Sequence, residues 1–259
     1  MYLTIQGLVL RVTPYKDNDA LLTVLSQDQG KLTVKARGVR RRNSPLVAPC
    51  QLLSYAEFTL FEYRGMHTIN EAHAIALFTP LRNDLTKLSL GTYFAQVAEL
   101  ISQEDTPNPE LLSLTLNCLF ALCQLSVSEE YIKSVFELRI ACLAGYAPDL
   151  TGCAHCGAEH PDLLDLSGGH LICSSCRPYH AQQIHLPLSA GMLDAMRYIC
   201  SCDPKRIFSF RIGDTTAQAL SYVTEGYLTT QLERGFSTLD FYKSLKNPLE
   251  LFQLGDNHV

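Results

Sequence analysis

Four cysteines, Cys153, Cys156, Cys173 and Cys176, form a C-x2-C…C-x2-C array with sixteen residues between the pairs. The spacing has a coordination reason. Two thiolates three positions apart on a tight turn share one face of a tetrahedral ion, and a second turn closes the other face. Gly157 follows the first pair, where such a knuckle bends back and a Cβ is unwelcome. All four positions are cysteine, so no coordination site is left for water. The array therefore predicts one structural metal ion held by Cys153, Cys156, Cys173 and Cys176, and argues against a catalytic one. The rival reading is four unrelated cytosolic thiols.

A chain of 259 residues has room for two domains, or for one plus a small metal module. The 47% hydrophobic and 18% charged content is that of an ordinary globular protein. The N-terminal run MYLTIQGLVLRVTPYKDND lacks a preceding basic region and a small-residue cleavage site, so it reads as a strand and not as a signal peptide. No apolar run reaches the ~20 residues that span a bilayer. The six further cysteines, Cys50, Cys118, Cys123, Cys142, Cys200 and Cys202, sit mostly in apolar helical patterns, where free cysteine acts as a small hydrophobe. A reduced, cytoplasmic protein is expected. The net charge of −5 hides an asymmetry: residues 1–80 carry nine Lys/Arg against six Asp/Glu, while the rest of the chain is strongly acidic. Screening confines such interactions to about 8 Å at physiological salt, so a partner senses the local sign and not the sum.

The first eighty residues read as strands. Leu8, Leu10 and Val12 alternate with Val9 and Arg11, residues 20–26 are β-rich, and Leu32, Val34 and Ala36 alternate with Lys31, Thr33, Lys35 and Arg37. Two more runs, at about 51–63 and 67–77, meet at Arg64-Gly65. Five strands without an intervening helix suit a small OB-fold barrel over residues 1–79, with an SH3-like barrel as competitor. From residue 80 the periodicity is helical. Helices are expected over 81–101, over 110–125 (apolar nearly all round), after a capping box at Ser126-x-x-Glu129, and at about 189–201 and 215–233. The metal segment, about 150–180, interrupts them, and Ser167-Gly168-Gly169 is its hairpin-turn candidate. The expected fold is thus α+β and multidomain: an N-terminal five-stranded OB-fold barrel, then an all-α domain over 80–259 with an inserted four-cysteine zinc ribbon.

The segment 31–42 carries the functional signal. Lys31, Lys35, Arg37, Arg40, Arg41 and Arg42 place six cations in twelve positions, along a strand face and into a loop. Guanidinium forks match phosphate oxygens bidentately. On a barrel this is the electrostatic half of a single-strand groove, and Tyr15, Tyr55 or Tyr63 are stacking candidates. The alternative is a solvated basic loop. Enzyme motifs are missing: there is no P-loop, no H-E-x-x-H, no G-x-S-x-G, and no H-x-E ahead of a P-C-x-x-C. His155, His160, His170, His180 and His185 crowd the metal segment, where four cysteines already satisfy an ion, so they read as surface or outer-layer residues. Cys200-x-Cys202 reads as packing.

Barrel, basic loop, helical domain and inserted ribbon, in this order, resemble the bacterial DNA repair and recombination mediator family RecO. The local matches are Tyr15 and Asp19 before the second strand, Lys35-Ala36-Arg37-Gly38 through the arginines to Ser44, Leu81-Arg82-x-Asp84, and Lys243-Ser244 in the tail. Cys153, Cys156, Cys173 and Cys176 match the zinc-binding branch, which implies that the structural metal is one zinc ion. The resemblance implies a non-enzymatic mediator, cytoplasmic and nucleoid-associated, that binds single- and double-stranded DNA and anneals complementary strands. It also implies partners: RecR, the C-terminal tail of the single-stranded-DNA-binding protein and, indirectly, RecA. Carried onto this chain, Lys35, Arg37, Arg40, Arg41 and Arg42 become backbone contacts. Two other classes fit the same parts: a zinc-containing OB-fold DNA- or RNA-binding module without mediator activity, and a metal-dependent nucleic-acid enzyme.

Overall fold

A computed structural model of the chain describes residues 2–177 and 184–246. It divides into two compact units, one holding the residues up to Leu125 with the segment that starts at Phe236, the other Ser126–Gly235.

In the first unit, β1 (Tyr2–Tyr15), β2 (Asp19–Ser26), β3 (Gly30–Ala36), β4 (Tyr55–Tyr63) and β5 (Met66–Ala76) close a barrel in the order β1-β2-β3-β5-β4. Neighbours are antiparallel except β3 and β5, which run parallel. The five-stranded barrel expected from the alternating pattern is therefore present. Its core takes every second residue: Leu22 and Val24 from β2, Leu32 and Val34 from β3, Phe58 and Leu60 from β4. β1 departs from the expected alternation. Ile5 and Val9 enter the barrel core, yet Leu8 and Leu10 are buried as well. The cause is a register shift between Val9 and Arg11, together with α2 and α3 packing across this strand, so both of its faces are covered.

The helical pattern from residue 81 is broken once. α1 (Thr79–Arg82) stops, and Asp84 caps α2 (Leu85–Ile101) by accepting the amides of Thr86 and Lys87 at 3.0 and 3.1 Å. Asn108 caps α3 (Pro109–Gln124), whose Pro109 sits at the first turn where no amide partner is needed. α3 is not buried all round, since Phe120 is 57% exposed. The terminal α7 (Ser237–Lys246) packs on α2, with the Phe236 ring edge-on to Tyr93 at 5.5 Å.

The second unit contains α4 (Glu129–Leu143), α5 (Ala190–Ser201) and α6 (Asp214–Gln231). Ser128, not Ser126, caps α4, accepting the Tyr131 amide at 3.3 Å; the helix starts two residues later than the capping-box spacing predicts. Gly145, at φ +90°, ends it. Between α4 and α5 lies the inserted sheet: β6 (Asp149–Cys153), β7 (Leu163–Asp165), β8 (His170–Ile172) and β9 (His185–Pro187), ordered β6-β8-β7-β9. β7 and β8 form the antiparallel hairpin expected around Ser167-Gly168-Gly169. No helix among the described residues is long and apolar enough to cross a membrane.

Candidate nucleic-acid interface and metal centre

The basic segment is held by a few main-chain contacts. Asp19 opens β2, and its Oδ1 accepts the Gly38 amide at 2.8 Å while Oδ2 pairs with Lys35 Nζ at 3.2 Å. The bond from Gly38, reinforced by Lys35, holds the Asp19 carboxyl below its ordinary value. Gly38 has φ +64°, which turns the chain at the end of β3. Val39 then enters the barrel core, and the Arg40 amide bonds to Asn18 O at 3.0 Å. With the backbone pinned on both sides, Arg37, Arg40, Arg41 and Arg42 all stand exposed.

Beside this turn the barrel wall forms a cleft of about 630 Å³. Lys35 and Arg37 line it together with Tyr2, Tyr15, Phe61, Tyr63 and Met66. The Lys35 ammonium lies over the Tyr15 ring at 4.9 Å, and the Tyr2 and Phe61 rings are tilted together at 5.4 Å. Tyr2 and Tyr63 are 64% and 61% exposed, far more than β-strand packing requires. Of the three tyrosines singled out in the sequence, Tyr15 and Tyr63 line the cleft. Tyr55 does not; its hydroxyl lies 3.2 Å from Gln6 Oε1. Lys31 also stands apart. Its ammonium donates to Glu99 O at 3.1 Å, at the end of α2. Tyr2, Phe61 and Met66 were not foreseen. Phe61 and Tyr63 do carry a signal, because they continue the outward phase of β4 with aromatic residues.

In the ribbon, the Sγ atoms of Cys153, Cys156, Cys173 and Cys176 all lie within 4.8 Å of one another. The Cys156–Cys173 separation is 3.8 Å. A tetrahedron with metal–sulfur bonds of about 2.3 Å has edges of about 3.8 Å, so the donor set fits a four-coordinate ion. Each knuckle is built locally. Gly157, at φ +73°, returns its amide to Cys153 O at 2.9 Å. A Cβ there would meet nothing within 4 Å, so the constraint is conformational and not steric. At the second knuckle the Cys173 amide donates to Cys153 Sγ at 3.3 Å, and Asp162 accepts from both the amide and the hydroxyl of Ser174. These two bonds hold the Asp162 carboxyl below its usual range. The main-chain donors around Cys153 lower its thiol to about 6, whereas burial and the neighbouring sulfurs push Cys173 up to about 12. Gathering four thiolates is thus unfavourable for sulfur alone and favourable around a divalent cation, which these residues can hold.

A family model described as Recombination protein O N terminal matches residues 1–78, and one described as Recombination protein O C terminal matches residues 82–240. The chain belongs to the recombination protein O family. It is similar to a protein named DNA repair protein RecO from Acetivibrio thermocellus, 33% identical over 246 residues, which cover 94% of this chain and 97% of the relative. It is also similar to those of Alkaliphilus metalliredigens, 28% identical over 95% of this chain and 100% of the relative, and Bacillus pumilus, 27% identical over 88% of each. Within this RecO-family chain the basic turn falls in the N-terminal match and all four cysteines fall in the C-terminal one.

No histidine joins the four-sulfur cluster among the described residues. His155 and His160 are exposed, His170 lies 3.9 Å from Asp165, and His185 is buried with neither ring nitrogen hydrogen-bonded to any of the described residues. His180 lies outside the described residues.

Proposed function

We propose that this RecO-family chain is a non-enzymatic mediator of DNA repair and recombination. It binds single- and double-stranded DNA through the barrel, anneals complementary strands, and acts with RecR to load RecA onto DNA coated by the single-strand-binding protein. The observation that carries this reading is the exposed arginine turn, seated by Asp19 and opening beside a cleft that combines Lys35 and Arg37 with aromatic faces. Cations neutralise phosphates and rings stack bases, the two components of sequence-tolerant strand binding. Lys35, Arg37, Arg40, Arg41 and Arg42 are the proposed backbone contacts. Lys31 is left out because its ammonium is engaged at the end of α2. Neutralising phosphates on two strands lowers their repulsion, and base pairing then supplies the specificity.

The proposed metal is one structural zinc ion on Cys153, Cys156, Cys173 and Cys176. Four sulfur donors leave no position for a reacting water, so the role assigned to the ion is to hold the ribbon.

The test is annealing of complementary strands precoated with the cognate single-strand-binding protein, with and without RecR. A mediator anneals coated strands and responds to RecR. Binding to naked strands without annealing of coated ones would make the chain a simple binding module. Turnover of an end-labelled strand would make it an enzyme.

A further inference from the structure

Six cysteines lie outside the metal array, and two of them meet. Cys142, in the last turn of α4, and Cys200, in the last turn of α5, have sulfurs 3.6 Å apart although 58 positions separate them. Both are partly exposed, whereas Cys50 and Cys118 are buried. Burial pushes the Cys50 thiol up to about 12 and raises Cys118 as well, so those two are inert core residues. Arg139, one turn before Cys142, donates to Cys200 O at 2.8 Å and to Ile199 O at 3.2 Å. That guanidinium fastens the end of α5 to α4 and keeps the two sulfurs opposed. Cys202, the other half of the C-x-C pair, points its sulfur at Ile199 O at 3.9 Å.

We propose that Cys142 and Cys200 form a dithiol site that hydrogen peroxide and other hydroperoxides oxidise to an intramolecular disulfide, with Cys142 as the sulfur oxidised first. The Cys142 thiolate attacks one peroxide oxygen: an S–O bond forms, the O–O bond breaks, and the departing hydroxide takes a proton and leaves as water. The Cys200 sulfur then attacks the Cys142 sulfenic sulfur. An S–S bond forms, the S–O bond breaks, and the hydroxyl leaves with the Cys200 proton as a second water. Two thiols are oxidised by two electrons, which reduce the peroxide. The order follows from the surroundings. The hydrogen bond shared with Cys200, aided by Arg139, holds the Cys142 thiol below its ordinary value, while the same bond and burial push Cys200 up. Closure from 3.6 Å to the S–S distance of about 2.05 Å needs a movement of about 1.5 Å, within the range of side-chain adjustment. The bond would enclose the whole β6–β9 sheet and its four cysteines in one covalent loop.

The experiment titrates the full, metal-bearing chain with hydrogen peroxide, blocks remaining thiols by alkylation, and maps peptides by mass spectrometry while an indicator dye follows metal release. The expected result is a Cys142–Cys200 linked peptide, two hydrogens lighter than its parts, at a peroxide dose that releases no metal. Cys142→Ser should abolish that peptide, and Cys200→Ser should leave a Cys142 sulfenic acid that dimedone traps. Full alkylation of both cysteines at a dose that strips the metal array would overturn the proposal. So would a linkage of Cys142 to Cys202, or dimedone labelling at Cys200 in place of Cys142. The wild-type map decides even where a variant folds poorly.

Discussion

The Asp19 carboxylate accepts the Gly38 amide at 2.8 Å across nineteen positions of sequence. One acidic residue thereby seats the turn from which three consecutive arginines project, and its second oxygen fixes Lys35 at the edge of the aromatic cleft. Asp19→Ala should release Arg40, Arg41 and Arg42 to rapid tryptic cleavage and weaken DNA binding, with the barrel still folded by circular dichroism. Asp19→Asn keeps an acceptor for Gly38 and loses only the pairing with Lys35, so it should resist cleavage better. The pH dependence has a definite sign. The folded Asp19 value lies below the unfolded one, so its contribution is complete above the unfolded value of about 3.9 and is lost as pH falls through the folded value. The protection of the Gly38 amide relative to the barrel amides should therefore be constant from pH 7 to 5 and fall only in the more acidic range.

Gly38 itself gives a second prediction. At φ +64° a side chain is strained, while the space is open: a Cβ would come no nearer than 3.5 Å to the Arg41 side chain. Gly38→Ala should therefore cost about 1–2 kcal/mol in urea unfolding. Gly38→Asn, which tolerates this region, should cost less. Equal losses for the two would point to sterics and against the backbone argument.

How much of this was legible beforehand depends on the range of the interaction. Alternation in Leu32–Ala36 and Ala56–Leu60 places the barrel core because a strand's two faces differ locally. The cysteine spacing foretells the four-sulfur cluster for the same reason. Leu8 and Leu10 defeat the rule because the outer face of β1 is covered by helices from far along the chain. Tyr2 meets Phe61 only because β1 pairs with β4, which closes the barrel. Lys31 belongs to the same run of cations as Lys35, yet four residues along a strand, about 13 Å, carry it to the end of α2. Cys142 and Cys200 are unremarkable apart and become a pair only when α4 and α5 pack.

Removing the metal should act on the ribbon before the barrel. Cys153 lies on β6, and its sulfur accepts the Cys173 amide, so the proposed ion and that bond would close the sheet together. Zinc binding contributes on the order of 10 kcal/mol to the folding of isolated small zinc modules. Cys153→Ser, or incubation with a strong chelator, should strip amide protection from β6–β8 in hydrogen-exchange mass spectrometry. Protection in β2 and β3 should persist. Retained β8 protection in metal-free protein would contradict the structural role proposed for the ion.

A buried cation links α4 to α6. Lys133 is only 2% exposed at its side chain and lies 2.9 Å from Glu137, 2.8 Å from Glu225 and 3.2 Å from Ser221 O. Lys133→Ala would leave the fully buried Glu137 without its nearest positive charge, at a cost of about 3–5 kcal/mol. Burial already raises the Glu137 value above that of a free carboxyl, despite Lys133. A carboxyl raised in the folded state opposes folding at high pH and is relieved as pH falls below its folded value. The Lys133→Ala deficit, measured by urea unfolding, should accordingly shrink between pH 7.5 and pH 5. Lys133→Met combined with Glu137→Gln should recover much of the loss.

The proposed DNA interface separates into two terms that different measurements read. Reversing Arg40, Arg41 and Arg42 to Glu removes phosphate contacts, each worth about −0.7 in the slope of log K against log salt on single strands. The triple variant should lose annealing and flatten that slope by about 2. Tyr63→Ala and Phe61→Ala remove rings that line the cleft without carrying charge. Base stacking contributes about 1–3 kcal/mol per base, so either change should weaken single-strand binding roughly five- to 150-fold. Their salt slope should stay that of the wild type, because no counterion release is altered. Duplex affinity should also fall less than single-strand affinity, since paired bases present no free face to a ring. Fluorescence anisotropy on a labelled oligonucleotide and its duplex, over a salt series, reads all of these quantities. Unchanged single-strand affinity in both aromatic variants would move the binding surface off the cleft and onto the arginine turn alone.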